Sequence, residues 1–377
     1  MFRVQSIQPI NIYINKAFFS LNTYKSKHWG FYGLIGFFIL TCLSGINSES
    51  IETWLHFLKI KAPYLLLPIA FLNHPTLHTK AYQHIYISLI TAMTICSVFV
   101  LGNYFLDHTA ITDSIKYGKS LQTPLSHVKF SVLLAIAAIS SVILSRHIKS
   151  KKTILLSVAI FLIITIHILA VRSGLVVLYL VGGLLLLHHL WHRNHVKHFT
   201  LAICILILGP IFAYYTIPSM YQKVHYVKHD LNMIQRGQTA NYSDGERVRS
   251  LQIGVDMIKK NPVFGIGIGD IRDASHEYYA DWFPDSQKKI LPHNQFILAW
   301  ASYGIFGLIF FLLCLFSPLL GFSINDQTLL FSLIFTLFVY GLVEKPLDEY
   351  VFVSVHALFT CAALNHHAKR NSNTSLS

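Results

Sequence analysis

The sequence predicts an all-α protein that crosses a membrane many times. Three observations carry that prediction. The chain has 377 residues, of which 53% are hydrophobic and only 12% charged, against roughly 25% charged in a soluble domain. Several apolar runs reach the ~17–25 residues that a helix needs to cross a bilayer. These runs are continuously apolar, whereas a membrane barrel needs ~10-residue segments of alternating polarity. A soluble two-domain chain is thereby excluded.

Ten candidate spans follow in order, at about 29–46, 55–73, 84–105, 128–145, 153–171, 174–190, 199–217, 295–318, 327–343 and 349–366. The second is the weakest, because Lys59 and Lys61 lie in its first half. The stretch from Pro9 to Lys27 is mixed apolar and basic and fits an interfacial segment. The first strong apolar run, from Trp29, lacks a small-residue cleavage site, so no cleavable leader is expected.

Lysine and arginine set the orientation. Arg3, Lys16, Lys25 and Lys27 precede the first span, and Arg146, Lys149, Lys151 and Lys152 separate the fourth and fifth. Arg193 and Lys197 follow the sixth, and Lys369 and Arg370 follow the tenth. With ten spans all four segments fall on one side, which the positive-inside rule makes cytoplasmic. Both termini are then inside. Much of the formal net charge of +13 is explained in this way, and nucleic-acid binding is not expected. Membrane lipids are the expected surroundings.

The same topology puts four segments outside together: about 106–127, the 171–174 turn, the long loop 218–294, and the 344–348 turn. The chain divides accordingly into an N-terminal bundle (1–217), an extracytoplasmic loop (218–294), C-terminal helices (295–366) and a cytoplasmic tail (367–377). The loop holds nine of the seventeen acidic residues and ten Lys and Arg. In "YSDGERVRSLQIGVDMIKKNP", Ser243 and Glu246 have capping-box spacing. Val248, Leu251, Val255 and Ile258 recur at helical spacing, and Asn261-Pro262 ends the helix. This helix is expected to lay that stripe on the membrane body, with Arg247 pointing inward and Arg249 solvated or paired.

The span interiors are almost free of the charges that mark ion-coupled transport. His167 and His356 are the main polar exceptions, and a hydrogen-bonded place in the bundle suits them. No inverted repeat or broken helix is visible, which argues against a lipid or glycan transporter. Cys42, Cys96, Cys204, Cys314 and Cys361 lie in apolar runs without metal-ligand spacing and read as small buried hydrophobes. His188, His192 and His195 have ligand spacing, but their basic cytoplasmic setting suits headgroup anchoring better. "GIGIGD", residues 265–270, reads as a tight turn, since no strand precedes it. No metal and no cofactor are expected.

Polar residues collect instead at the outer ends of the spans: Arg172 and Ser173, Arg247, His293 and Asn294, Glu344 and Asp348. Each has a plain structural reading, as an interface anchor, a surface charge, a helix start or a turn residue. Their coincidence on one face favours chemistry. Arginine offers a planar donor fork that matches phosphate and stays charged. Two of them suit a lipid-linked pyrophosphate as it leaves, and a histidine suits proton removal from an attacking hydroxyl.

The pattern of these residues resembles the O-antigen ligase and O-antigen polymerase superfamily. "ERVRSLQIGVDMIKKNPVFGIGIGD" followed by "LPHNQFILAWASYGIFGLIFFL" carries the resemblance, with "VRSG" at 171–174 and the late acidic turn "LVEKPLDEY". The resemblance implies a GT-C-type helical fold and a metal-independent, inverting glycosyltransferase at the periplasmic face of a bacterial inner membrane. The implied donor is a glycan on undecaprenyl pyrophosphate; the acceptor is a lipid A-core sugar for a ligase, or another glycan for a polymerase. By carry-over Arg172 and Arg247 bind the pyrophosphate and His293 is the base, with Asn294, Ser173, Glu344 and Asp348 supporting. Two departures stand out: ten spans where such ligases commonly have about twelve, and Leu251 where many members have Trp.

Overall fold

The computed structural model describes residues 29–116, 119–192, 196–236, 243–286 and 289–374. It is all helix, with no strand among the described residues. Among the described residues eight helices are long and apolar enough to cross a membrane, and they correspond to the first eight predicted spans. The interfacial reading of Pro9–Lys27 lies outside the described residues.

The chain opens with α1 (Trp29–Asn47) and a second span broken into α2 (Ile51–Lys61) and α3 (Pro63–Asn73). Pro63 opens α3, a position where its missing N–H costs nothing. The span therefore starts four residues before the predicted Leu55. Lys59 is exposed, but Lys61 turns into the protein at the break, so it does not weaken the span.

α4 (Thr79–Leu106) is followed by the short α5 (His108–Lys116), then by α6 (His127–His147) and α7 (Lys152–Leu169). α6 is the central post, with 83% of its spanning window buried. It packs on α4, on α7 and on α8 (Arg172–Val177). Gly174 permits the last of these approaches, because a Cβ there would lie 2.7 Å from that of Ser131. A π-helical turn, Leu178–Gly182, joins α8 to α9 (Gly183–His192). α10 (Val196–Thr216) completes the seventh span and leans on α9 and on α11 (Pro218–Gln235).

The long loop is helical: α11, α12 (Ser243–Lys260) and α13 (Ile271–Trp282). α14 (Gln295–Phe316) follows it. The last two predicted spans differ from expectation. α15 (Thr328–Gly341) has 14 residues, about 21 Å of helix at ~1.5 Å per residue, less than a ~30 Å hydrocarbon layer, so the flanking segments complete the return that brings Glu344 back beside His293. α16 (Tyr350–Thr374) runs straight through the predicted boundary at 366/367, and Asn365, His366 and His367 lower its hydropathy.

α12 docks on a face other than the predicted stripe. Its buried residues are Gly245, Glu246, Arg249, Ser250, Ile253, Gly254, Met257 and Ile258; of the predicted stripe only Ile258 is among them, and Val248 and Val255 are exposed. Small size decides the docking. Gly254 lies so close to α14 that a Cβ would approach Ile297 to 2.6 Å. The polar members are satisfied in place: Arg249 donates to both Asp285 oxygens at 3.2 and 3.0 Å, stacks 4.7 Å over Phe283, and lies near Glu246. Arg249 is thus paired as expected, but it is buried rather than solvated. The side chain of Ser243, and with it the capping box, lies outside the described residues; Glu246 accepts from Ser286 Oγ at 2.7 Å.

The glycine-rich turn explains a second departure. α14 is broken at Gly304, with φ 71° and ψ −178°, a region essentially reserved for glycine. The turn after Pro262 fills the break. Ile266 N–H donates to Ala301 O at 2.9 Å, Gly267 N–H to Ser302 O at 3.1 Å, and Ile305 N–H to Pro262 O at 3.0 Å. Gly265 and Gly267 take φ of 71° and 88° to make this fit. A broken helix is therefore present, contrary to the sequence reading, and its freed backbone groups bond to protein. Asp270 then ties down the segment leading into α2, accepting from the N–H groups of Glu49 and Ser50 at 2.8–2.9 Å.

The intramembrane histidines are hydrogen-bonded within the bundle. His167 meets Tyr179 OH at 2.7 Å, and His356, fully buried, meets Tyr64 OH at 2.8 Å.

Candidate functional site

The start of α14 is built around Asn294. Its side-chain oxygen accepts from the N–H groups of Phe296 and Ile297 at 2.9 and 3.0 Å, a regular N-cap. Its amide donates to Leu342 O at 2.9 Å, tying the α14 start to the 342–349 turn. His293 is therefore held just outside the helix. Its N–H donates to Ser250 Oγ at 3.2 Å, which fixes it against α12 as well.

The His293 ring faces Glu344 across that gap, with Nδ1 2.8 Å from Oε2. The other Glu344 oxygen accepts from Arg247 at 2.6 Å. Arg247 lies 3.7 Å from Asp244, one helical turn earlier on α12. Asp244 accepts a two-point contact from Arg172, at 2.6 and 2.8 Å. One unbroken chain of charges, Arg172–Asp244–Arg247–Glu344–His293, thus joins α8, α12, the late acidic turn and the α14 start.

The charges around the two carboxylates favour their ionised forms. Burial pushes the Glu344 carboxyl up, but the hydrogen bond and charge of His293, and then Arg247, outweigh it and hold the group below its ordinary 4.5. Asp244 is likewise raised by burial but held below 3.8 by Arg172 first and then Arg247. Both are carboxylates, and a carboxylate only accepts. In the neutral His293 ring the proton is then on Nδ1, which leaves the Nε2 lone pair free. The His293 side chain is 20% exposed, so the ring is partly open to solvent.

Arg172, Arg247, His293 and Glu344 are thus brought together. Ser173 is buried behind Arg172 and takes no part in the chain of pairs. Asp348 is not at the site: it points into the protein and pairs with Lys61 at 2.7 Å. Sequence reasoning missed Asp244, although its place three residues before Arg247 is the spacing of a helical ion pair. It also missed Ser250, Lys223 and His127. Lys223, on α11, lies in the fields of Arg172, Asp244 and Arg247; burial and then Arg172 hold its ammonium below the ordinary lysine value. His127 begins α6 within reach of the Lys223, Arg247 and Glu344 charges.

Elsewhere, His188 and His192 stack with ring centroids 4.2 Å apart, while His195 lies outside the described residues. No cluster of metal-ligating side chains occurs among the described residues.

A family model described as O-antigen ligase matches residues 123–312, just over half of the chain. The chain belongs to the O-antigen ligase family. It is accordingly a membrane protein of the glycosyltransferase type that handles lipid-linked glycans in ligation or polymerisation. The matched region contains Arg172, Asp244, Arg247 and His293 but not Glu344 or Asp348, so the O-antigen ligase match stops short of the acidic turn that completes the chain of charges. The curated proteins contain no match to this chain.

Proposed function

We propose that this member of the family transfers a glycan from undecaprenyl pyrophosphate to an acceptor hydroxyl at the periplasmic face of a bacterial inner membrane, as a ligase whose acceptor is a lipid A-core sugar. The observation that carries the reading is the continuous chain from Arg172 to His293. It supports the reading by bringing two guanidiniums and an imidazole into one connected series.

In this reading His293 Nε2 takes the proton from the acceptor hydroxyl as its oxygen attacks the anomeric carbon. The bond from that carbon to the pyrophosphate oxygen breaks, with inversion. Glu344 holds the ring in the correct tautomer and stabilises the imidazolium that forms, as the carboxylate of a catalytic triad does. Arg172 and Arg247 meet the negative charge that develops on the departing pyrophosphate. Asp244 keeps the two like-charged guanidiniums in register. The proton leaves with the pyrophosphate or to solvent, and no metal step is required.

The test uses the full chain in lipid nanodiscs with an undecaprenyl-pyrophosphate-linked oligosaccharide and no added metal. Transfer is expected to fall by about 10²–10⁴ in His293→Ala and to survive EDTA. Undiminished transfer in the variant removes the base, and EDTA-sensitive transfer removes the metal-free mechanism. Offering a lipid A-core acceptor and, separately, a second lipid-linked glycan distinguishes ligase from polymerase. Polymerisation of O-antigen, capsule or another exopolysaccharide is the alternative that the same chemistry serves.

A further inference from the structure

The segments that carry His293 and Glu344 are tied together a second time, deeper in the protein. Gln295 lies two residues after His293, and Asp348 four after Glu344. Gln295 is 1% exposed; its amide donates to Asp348 Oδ2 at 2.5 Å, and its oxygen accepts from Leu347 N–H at 2.8 Å. Lys61 is also 1% exposed. Its ammonium lies 2.7 Å from Asp348 Oδ1 and donates to the Leu347 carbonyl. Three segments distant in sequence meet here: the α2–α3 break, the first turn of α14 and the 346–348 turn.

Stability alone does not account for this arrangement. A buried ion pair gives up hydration that its attraction only just repays, and apolar side chains of similar volume often hold a fold as well or better. Directional bonds fix register, which apolar packing does less sharply. Asp348 faces the Lys61 ammonium with one oxygen and accepts from Gln295 on the other, while Leu347 is gripped at both N–H and C=O. With Asn294 bonded to Leu342 O on the near side, the 2.8 Å contact between His293 and Glu344 is bracketed from both directions.

We propose that Lys61, Gln295 and Asp348 are positioning residues that set the separation and angle of the His293–Glu344 pair. Lys61 thereby brings the α2–α3 break, far from the reacting groups in sequence, into control of the transfer step. The proposal rests on the reading of His293 as the base.

The test pairs two variants of the full chain in nanodiscs: Lys61→Met/Asp348→Leu, which removes both charges and keeps volume, and Gln295→Met, which leaves the ion pair intact. Binding is measured with undecaprenyl pyrophosphate itself, and transfer with the lipid-linked oligosaccharide across pH. Both variants are expected to bind undecaprenyl pyrophosphate within about twofold of the parent. Their kcat is expected to fall about 10- to 100-fold, the effect of a misplacement near 1 Å, and the acid limb of the pH–rate profile to move. Should the double variant fail to fold, Gln295→Met decides alone. Parent kcat with an unchanged profile overturns the proposal. So does loss of binding in step with turnover, which marks general damage. His293→Ala is run alongside: if it transfers at the parental rate, the base reading has failed, and that outcome is separate from the fate of the positioning variants.

Discussion

Glu344 and Asp348 stand four residues apart in one turn, and each holds a basic partner. Glu344 pairs with His293 and Arg247, both partly open to solvent. Asp348 pairs with Lys61, and both side chains are at most 4% exposed. The Lys61–Asp348 pair is closed on itself by Gln295 and Leu347. The Glu344 pair ends on a ring that is partly open to solvent. The difference teaches where chemistry is to be sought in this turn: not where charge is most deeply buried, but where a polarised group keeps one free valence.

The largest expected effects separate the two pairs by kind. Glu344→Gln keeps the shape and loses the charge that orients and stabilises His293, so kcat is expected to fall by about 10²–10⁴ with melting temperature lowered by only the few degrees its ion pairs contribute. Lys61→Ala alone leaves Asp348 buried without its counter-ion, which costs about 3–5 kcal/mol of stability. Thermal melting in detergent is expected to show that loss. If Glu344→Gln unfolds the protein while Lys61→Ala melts like the parent, the contrast between the pairs is lost. Gly304→Ala is the next largest. It forces a Cβ into a backbone region essentially closed to it and onto the Val263 carbonyl, at a cost of about 1–3 kcal/mol in strain before the overlap is counted. Reduced thermal stability is expected; parental melting would mean that α14 straightens freely.

These contrasts also show what the sequence made legible. Hydropathy and length made the first eight spans legible, because burial in lipid writes itself as long apolar runs. Arg172, Arg247, His293 and Glu344 were legible as outer-end polar residues joined by a family pattern. Asp348 looked the same in sequence as Glu344, since nothing in "LVEKPLDEY" says which carboxylate turns inward; that depends on Lys61, 287 positions away. Asp244 went unseen because a carboxylate in a mixed-charge helix resembles a solvated one until Arg172 arrives from another span. The buried face of α12 was misread because apolar periodicity does not register that Gly254 and Ser250 admit the close approach of α14.

Arg172 and Asp244 test the site at its other end. Arg172→Lys keeps the charge but loses the two-point fork, so the KM for the lipid-linked donor is expected to rise by about tenfold with a smaller change in kcat. Asp244→Asn is expected to raise the same KM by less, because the two guanidiniums lose their shared carboxylate while both remain present. Parental donor KM in both would remove the pyrophosphate role from this end of the chain, and the His293 end would stand alone.

The smallest expected effect is a pH dependence, and its sign follows from the carboxylates. Glu344 and Asp244 are held below their ordinary values of 4.5 and 3.8 in the folded protein. Groups depressed on folding contribute stability that is complete above the ordinary value and is lost as pH falls through the folded one. The melting temperature is therefore expected to be flat from pH 7 to 5 as far as these groups are concerned, and to drop by a few degrees as pH falls below 4.5. Glu344→Gln removes one of the two titrations and is expected to drop less steeply over the same interval. If parent and variant fall in parallel from pH 6 to 3, Glu344 is not ionised by its partners. The assignment of the His293 proton to Nδ1 then fails with it, because a protonated carboxyl is a donor as well as an acceptor and no longer dictates which ring nitrogen is free.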